Sequence, residues 1–322
     1  MKIKSFIKTC LVTVIIFTCL LTPTFIWWDK FSESTIFNTD GVTLEDMPLL
    51  VDKNSEFFDA FTEANRINVL LTGTNQDLAD VIMLCSYDLD TDDIALISIP
   101  RDTYFPRGGH PSADKKKINA SYKDDGVLGL ATSVSSVLQG IPINFYMKID
   151  YDGIRNIVNA MGGVPVTVTL PGGLHYSDPY DTPPLEINID EGYQVLDGDH
   201  AVQYLRFRKG YPDGDIGRIK AQQEFMKSAF KQALGLNLIK VVNTVLDNVD
   251  SDIKVKTCVS LAKGAKGLSS DKLHTYTVPG NAKYGEGGLS FWYADEEGIR
   301  DMLTEIYSMP TEEAPVEDGE AA

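Results

Sequence analysis

The sequence predicts a three-layer α/β/α sandwich with a central mixed sheet, preceded by one N-terminal transmembrane helix. Three observations carry this reading. Short runs that are apolar throughout alternate with helix-periodic segments, and continuous apolar runs belong to strands covered on both faces. An uncharged stretch from Thr9 to Trp28 has the roughly 20 residues that cross a hydrocarbon core of about 30 Å. The 322 residues are 43% hydrophobic and 10% aromatic, which is enough for a sizeable core and excludes a mainly disordered chain.

Residues 1–8 carry Lys2, Lys4 and Lys8 and are expected to stay in the cytoplasm, because positive flanks are retained on that side. Residues 9–28 are then an uncleaved signal anchor. Trp27 and Trp28 close the run as an interfacial belt would, and no A-x-A-like cleavage site follows it. Residues 29–64 are weakly periodic, with a helix-like patch at 55–64, and read as a stalk leading to an extracellular domain over 65–309. In that domain RINVLLT (66–72), VIMLCSY (81–87) and DIALISI (93–99) are expected strands, the last two joined by the turn-rich LDTD. A helix is expected over 126–139 and a strand over 144–149. A second helix over 151–161 stops at Gly162–Gly163, ahead of a strand at 164–168. Four prolines mark 170–184 as a loop. Asp197 caps a helix that runs through Tyr204, and a long helix follows from about 216 to 234. Helices are expected at 237–248, 256–265 and 295–307, with a strand at 274–278. Residues 310–322 are acidic, lack an apolar face and read as a disordered tail.

The net charge of −17 argues against a nucleic-acid partner, since phosphate backbones attract net-basic surfaces. Cys85 and Cys258 read as two buried free thiols, with an external disulfide between them as the alternative. No Cys or His spacing suggests zinc. His110, His175, His200 and His274 are scattered and read as structural or surface groups, and the aromatics at 291–293 read as core. The nucleophile pattern of a serine hydrolase is missing.

The chemistry points instead to arginine. The chain has eight arginines, and four fall in three short segments: Arg101 in SIPRDTYF, Arg206 and Arg208 in YLRFRK, and Arg218 in GDIGRIKAQQ. Arginine suits planar, bidentate recognition of phosphate. Arg101 ends a buried strand, where ligands bind in α/β sheets. Arg218 opens a helix, whose dipole also favours anions. Arg206 and Arg208 are two apart, so both face one side only if the segment between them is extended. Each arginine alone reads as a solvated surface charge; together they suggest one shared anion site.

The same segments carry a family resemblance. VLLTG, ADVIML, LISIPRDTYF, KINASY, GIPINFYMKIDYDG, MGGVPVTV, GYQVLDGD, YLRFRK and GDIGRIKAQQEF resemble, in order, the LytR–CpsA–Psr family, from about residue 66 to near 280 and a final helix. The resemblance implies an enzyme anchored in the cell membrane that attaches glycopolymers such as teichoic acid or capsule to the cell wall. It would take the polymer from an undecaprenyl-diphosphate carrier, join it to peptidoglycan through a phosphodiester, and release undecaprenyl phosphate. It also implies a diphosphate held by Arg101, Arg206, Arg208 and Arg218 with a magnesium ion, and a lipid in a hydrophobic pocket. Gln222, one helical turn from Arg218, shares its face.

Arginines and a divalent cation would neutralise the diphosphate and the charge that develops on the leaving phosphate. Arg101, Asp102 and Asp80 are the catalytic candidates. Asp80 matches one family carboxylate, while Asp102 and Asp215 orient arginines, act as base or are simply paired surface acids. Two departures touch the metal side. Asn75 stands where the family usually has aspartate, so the proposed pair for magnesium is Asp80 with Asn75 and its hold on the cation should be weak; Asp77 is the substitute if the loop bends. Leu78 stands where the family usually has arginine. A hydrolase using water as acceptor and a non-catalytic lipid-diphosphate binder remain the alternatives. Val134, Val137, Leu138, Ile154, Ile157 and Val158 read as core, although a lipid tunnel would use the same residue types.

Overall fold

The computed structural model describes residues 55–307 except 76, 182–183, 237, 255–256 and 259–267. The anchor at 9–28, the tail at 310–322 and most of the helix expected over 256–265 lie outside the described residues. Among the described residues no helix is long and apolar enough to cross a membrane.

The elements run in order as helix α1 (Phe58–Glu63), strands β1 (Arg66–Asn75), β2 (Leu78–Asp88) and β3 (Ile94–Ser98), helix α2 (Ala120–Val137), strand β4 (Phe145–Ile149) and helix α3 (Tyr151–Ala160). Then come four short strands, β5 (Val164–Val168), β6 (Leu174–Asp178), β7 (Leu185–Ile189) and β8 (Gly192–Leu196). Three helices follow: α4 (Gly198–Arg206), α5 (Asp215–Leu234) and α6 (Leu238–Leu246). The chain continues with β9 (Asp250–Ser251), β10 (Leu273–Thr277), β11 (Gly280–Tyr284), β12 (Ser290–Ala294) and helix α7 (Glu296–Ile306).

Six strands form the central sheet in the order β10-β3-β2-β1-β4-β9. It is mixed: β1 pairs antiparallel with β2 and parallel with β4, β3 pairs antiparallel with β2 and parallel with β10, and β9 is antiparallel to β4. The remaining strands make two-stranded ribbons, β5–β8, β6–β7 and β11–β12.

Helices cover both faces of the sheet, as its apolar runs require. On one face Leu70, Ile82, Leu84 and Ile97 are at most 2% exposed and pack with Leu130, Val134 and Leu138 of the α2 segment and Ile299 and Leu303 of α7. The other core joins Val158 of α3, the β5–β8 and β6–β7 ribbons, Tyr204 of α4 and Phe225 of α5. Turn chemistry fixes the connections. Asp150 caps α3 by accepting from the Gly153 N–H, and Asp197 caps α4 by accepting from the His200 N–H. Gly162 and Gly163 end α3 with φ of 79° and 98°, a backbone region that glycine enters without steric cost.

Two expectations need correction, and one hairpin was not anticipated. Residues 55–64 are not stalk: Phe57 and Phe61 are 1% and 6% exposed in the first core, because α1 is too short to be stable except against the sheet. The expected loop at 170–184 contains β6, which pairs with β7 in register from Leu174↔Ile189 to Asp178↔Leu185; its flanking prolines and glycines mark the turns rather than the whole segment. The β11–β12 hairpin was not legible, since β11 is largely exposed and shows no apolar alternation. Cys85 and Cys258 are both free thiols, and burial pushes each up to about 11.

Candidate active site

The sheet carries the first half of the site. The antiparallel pairing of β2 and β3 runs on past Ser98, with the Ile99 N–H donating to the Ile82 carbonyl at 2.9 Å. That register sets Arg101 opposite Asp80, and their side chains form a hydrogen-bonded ion pair. Asn75 ends β1 beside them.

Helix ends carry the second half. Arg206 is the last residue of α4; Phe207 follows in extended backbone, at φ −63° and ψ 128°, and buries its ring. That extended step lets Arg206 and Arg208 line one cavity, as their spacing required. Arg218 and Gln222 are one turn apart on α5 and each is 4% exposed.

These groups meet in a cavity of about 300 Å³. Asn75, Asp80, Arg101, Arg206, Arg208, Arg218 and Gln222 all line it. Asp102 does not: its carboxylate is held by the Lys117 ammonium at 3.0 Å, and it acts on Arg101 only through its field. Asp77 is also outside, 74% exposed and 3.6 Å from Lys123. The expected convergence therefore holds for every phosphate-binding candidate, whereas Asp102, Asp77 and Asp215 do not line the cavity.

Three arginines already have carboxylates. Arg101 is paired with Asp80, Arg206 with Asp181 at 2.5 Å, and Arg218 with Asp215 through contacts of 2.9 and 3.2 Å. Arg208 has no hydrogen bond or ion pair among the described residues. The Nε–H groups of Arg101 and Arg218 are buried and donate to nothing among the described residues. Such orphaned charged donors are costly unless a ligand meets them. Burial, together with the nearby charges of Arg101 and Arg208, pushes the Arg218 guanidinium below its ordinary value despite Asp215. Burial opposes charge at Arg101 too, but Asp80, Asp102 and Asp215 outweigh it and hold its value raised. An anion entering between Arg208 and Arg218 would relieve the repulsion between them.

Residues that sequence reasoning missed complete the wall. Tyr151, first in α3, sets its ring 4.7 Å from the Arg206 guanidinium, a cation–π contact in addition to the Asp181 ion pair. Burial raises the Tyr151 hydroxyl above its ordinary value, so it stays a neutral donor. Lys209, Tyr176, Asp178 and Asp181 also line the cavity. Lys209 ends the YLRFRK segment, which was the available signal; Asp178 and Asp181 lay in the segment read as loop.

A second cavity of about 340 Å³ adjoins the first. Gly73, Val81, Ile149, Ile154, Leu205 and Gln222 line both, so one opens onto the other. Its remaining wall is almost wholly apolar: Leu71, Met83 and Met147 from the sheet, Ile157 and Val158 from α3, Phe225, Met226 and Phe230 from α5, and Val241 from α6. Of the six apolar residues read as core, Val134 and Leu138 are buried in the first core with Val137 packed against it, whereas Val158 of the second core and Ile154 and Ile157 packed against it also line this hollow.

The donor set for a divalent cation is small. Among the described residues no three His, Cys, Asp or Glu side chains converge. Asp80 and Asn75 are in the wall, and the Asn75 side chain makes no hydrogen bond among the described residues. Magnesium often takes only one or two carboxylates and completes its shell with phosphate oxygens and waters. Asp80 and Asn75 fit that mode, with one full charge between them.

The sequence model of the LytR_cpsA_psr family matches residues 38–307. The polyisoprenyl-teichoic acid–peptidoglycan teichoic acid transferase TagU of Oceanobacillus iheyensis is 29% identical over 299 residues, covering 84% of this chain and 86% of that protein. The crystal structure of Bacillus subtilis TagV superposes with a TM-score of 0.63 at 24% identity, covering 77% of this chain and 99% of that one. A structure of TagT bound to LIIa-WTA superposes with a TM-score of 0.66 at 22% identity, covering 83% and 98%. With the match extending over the whole sheet, both cavities and all four site arginines, the chain belongs to the LytR–CpsA–Psr family.

Proposed function

We propose that this protein transfers a glycopolymer from a polyprenyl-diphosphate carrier, of the undecaprenyl type, to a hydroxyl of peptidoglycan. The observation that carries the proposal is the pairing of two buried guanidinium Nε–H groups, unpartnered among the described residues, with an adjoining apolar hollow. A lipid diphosphate is anionic at one end and hydrocarbon at the other, and the two cavities divide in the same way. The relative's transferase name agrees with this reading.

In the reaction the acceptor oxygen bonds to the polymer-side phosphorus and the bridging P–O bond breaks. The electron pair leaves on the lipid phosphate, whose growing charge falls among Arg101, Arg206, Arg208 and Arg218. The hydroxyl proton passes to one of the three carboxylates in the wall, Asp80, Asp178 or Asp181. Tyr151 and Asp181 both hold Arg206, so its charge is positioned before substrate arrives. Magnesium held by Asp80 and Asn75 would add charge neutralisation at the same phosphates. The uncharged run at 9–28 supports a membrane anchor with the amino end in the cytoplasm and this domain outside, beside both lipid donor and wall acceptor.

Asn75 in the wall favours one second reading, a binder without turnover, because it removes a charge from the metal side. Incubating the protein with a polyprenyl-diphosphate glycan and peptidoglycan oligomers, with and without magnesium, decides. Glycan on the oligomer is the expected result. Free phosphorylated glycan would indicate hydrolysis, and tight binding without turnover would indicate the binder; either overturns transfer.

A further inference from the structure

A larger cavity, about 880 Å³, lies apart from the diphosphate site and shares no lining residue with it. One wall is a second stripe of α5: Gly217, Ala221, Glu224, Ser228 and Lys231 recur every three or four residues, with Lys220 beside them, next to the stripe that carries Arg218 and Gln222. The facing wall is Pro165–Leu170, six residues in unbroken succession. Alternate side chains of a strand point to opposite faces, so a groove lined by every residue is met by the strand's edge. Among the described residues β5 pairs only with β8, which leaves that edge without a strand partner, and the Ser228 hydroxyl donates to the Pro165 carbonyl.

Tyr193, Tyr204 and Tyr211 complete the groove, with Tyr204 buried. Tyr193 of β8 stands beside Thr167 in the ribbon register and is 73% exposed. A ring held on a strand yet left in water gains little from folding, so its burial is available to a ligand. Tyr211 lies against α5 where Gly217 leaves room: a Cβ at 217 would sit 2.5 Å from the Tyr211 Cβ.

The charge of this groove differs from that of the diphosphate cavity. Lys220 and Lys231 are matched by Asp213 and Glu224, and Lys220 is paired with Asp213 at 2.8 Å. In the diphosphate cavity four arginines and Lys209 outnumber Asp80, Asp178 and Asp181. A polyanion therefore gains in the second and not in the first. A groove with net neutral charge, aromatic faces and the hydroxyls of Thr167 and Thr169 suits a neutral chain of sugar rings: the apolar ring faces pack on tyrosine while the hydroxyls exchange hydrogen bonds; Ser228 and Gln232 already donate to the Pro165 and Met161 carbonyls.

We propose that this groove binds a neutral, amino-sugar glycan strand and holds the acceptor side of the reaction. Residues 206–213 join the two sites, with Arg206, Arg208 and Lys209 at the diphosphate and Tyr211, Pro212 and Asp213 at the groove. The glycan's role as acceptor rests on the transfer reading above; glycan binding by the groove does not.

The test uses the full-length protein in detergent and chitohexaose as the neutral amino-sugar probe, followed by calorimetry. Tyr193→Ala should weaken chitohexaose at least about fivefold. Thr167→Trp, at an exposed strand position, should fill the groove and abolish binding. Both should leave polyprenyl-diphosphate binding unchanged. A glycerol-phosphate oligomer at equal concentration should not displace chitohexaose. No binding to the unsubstituted protein, equal affinity in both variants, or displacement by the polyanion would each overturn the assignment. Glycan binding without transfer would remove the transfer reading and leave the groove standing.

Discussion

The two faces of the central sheet are made of the same residue types and behave differently. On one, Leu70, Ile82, Leu84 and Ile97 are closed over by α2 and α7. On the other, Leu71, Val81, Met147 and Ile149 are only half-buried, because α3, α5 and α6 enclose a hollow rather than filling it. Burial on β1 alternates accordingly, with Asn68, Leu70 and Thr72 buried and Val69, Leu71 and Gly73 not fully so. One face stabilises the fold by close packing. The other forgoes contacts that close packing would supply, and such a hollow is useful only when an apolar guest fills it.

Substitutions should separate the faces. Leu84→Ala, fully buried on the packed face, should cost about 2–5 kcal/mol in denaturant unfolding, whereas Leu71→Ala over the hollow should cost about half that or less. Equal losses would mean that the second face is packed in solution. Arg218→Ala, where hollow and charge meet, should weaken polyprenyl-diphosphate binding at least about tenfold with the fold intact, since a bond to a charged group is worth about 1.5–3 kcal/mol. Unchanged affinity would remove Arg218 from the site. Tyr151→Leu should weaken the same binding by roughly three- to thirtyfold, as loss of a cation–π contact of about 0.5–2 kcal/mol implies, while Tyr151→Phe keeps the ring face and most of the affinity. If Phe and Leu are equivalent, the hydroxyl rather than the ring matters. Asn75→Asp should bring the smallest change, a severalfold gain in magnesium affinity measured with the diphosphate bound. No gain would place position 75 away from the cation.

The first three strands were legible because their apolar runs are uninterrupted, and the arginine cluster because so few arginines fall in so few segments. Tyr151 was not legible as a site residue: it reads as the opening of an amphipathic helix, and only the arrival of Arg206 from 55 residues along the chain gives its ring a cationic partner. Asp102 was over-read for the opposite reason. It neighbours Arg101 in sequence, but successive side chains diverge, and Lys117 holds it outside the cavity.

Residue order alone settled the alternation of strands and helices, the cap at Asp197, the helix stop at Gly162–Gly163 and the grouping of the arginines as one candidate anion site. These are local matters of periodicity, turn chemistry and side-chain donors. Which apolar residues pack and which line a hollow, and which carboxylates reach the arginines, was decided only by the tertiary structure. Both depend on how far helices stand from the sheet, a distance set by side chains remote in sequence.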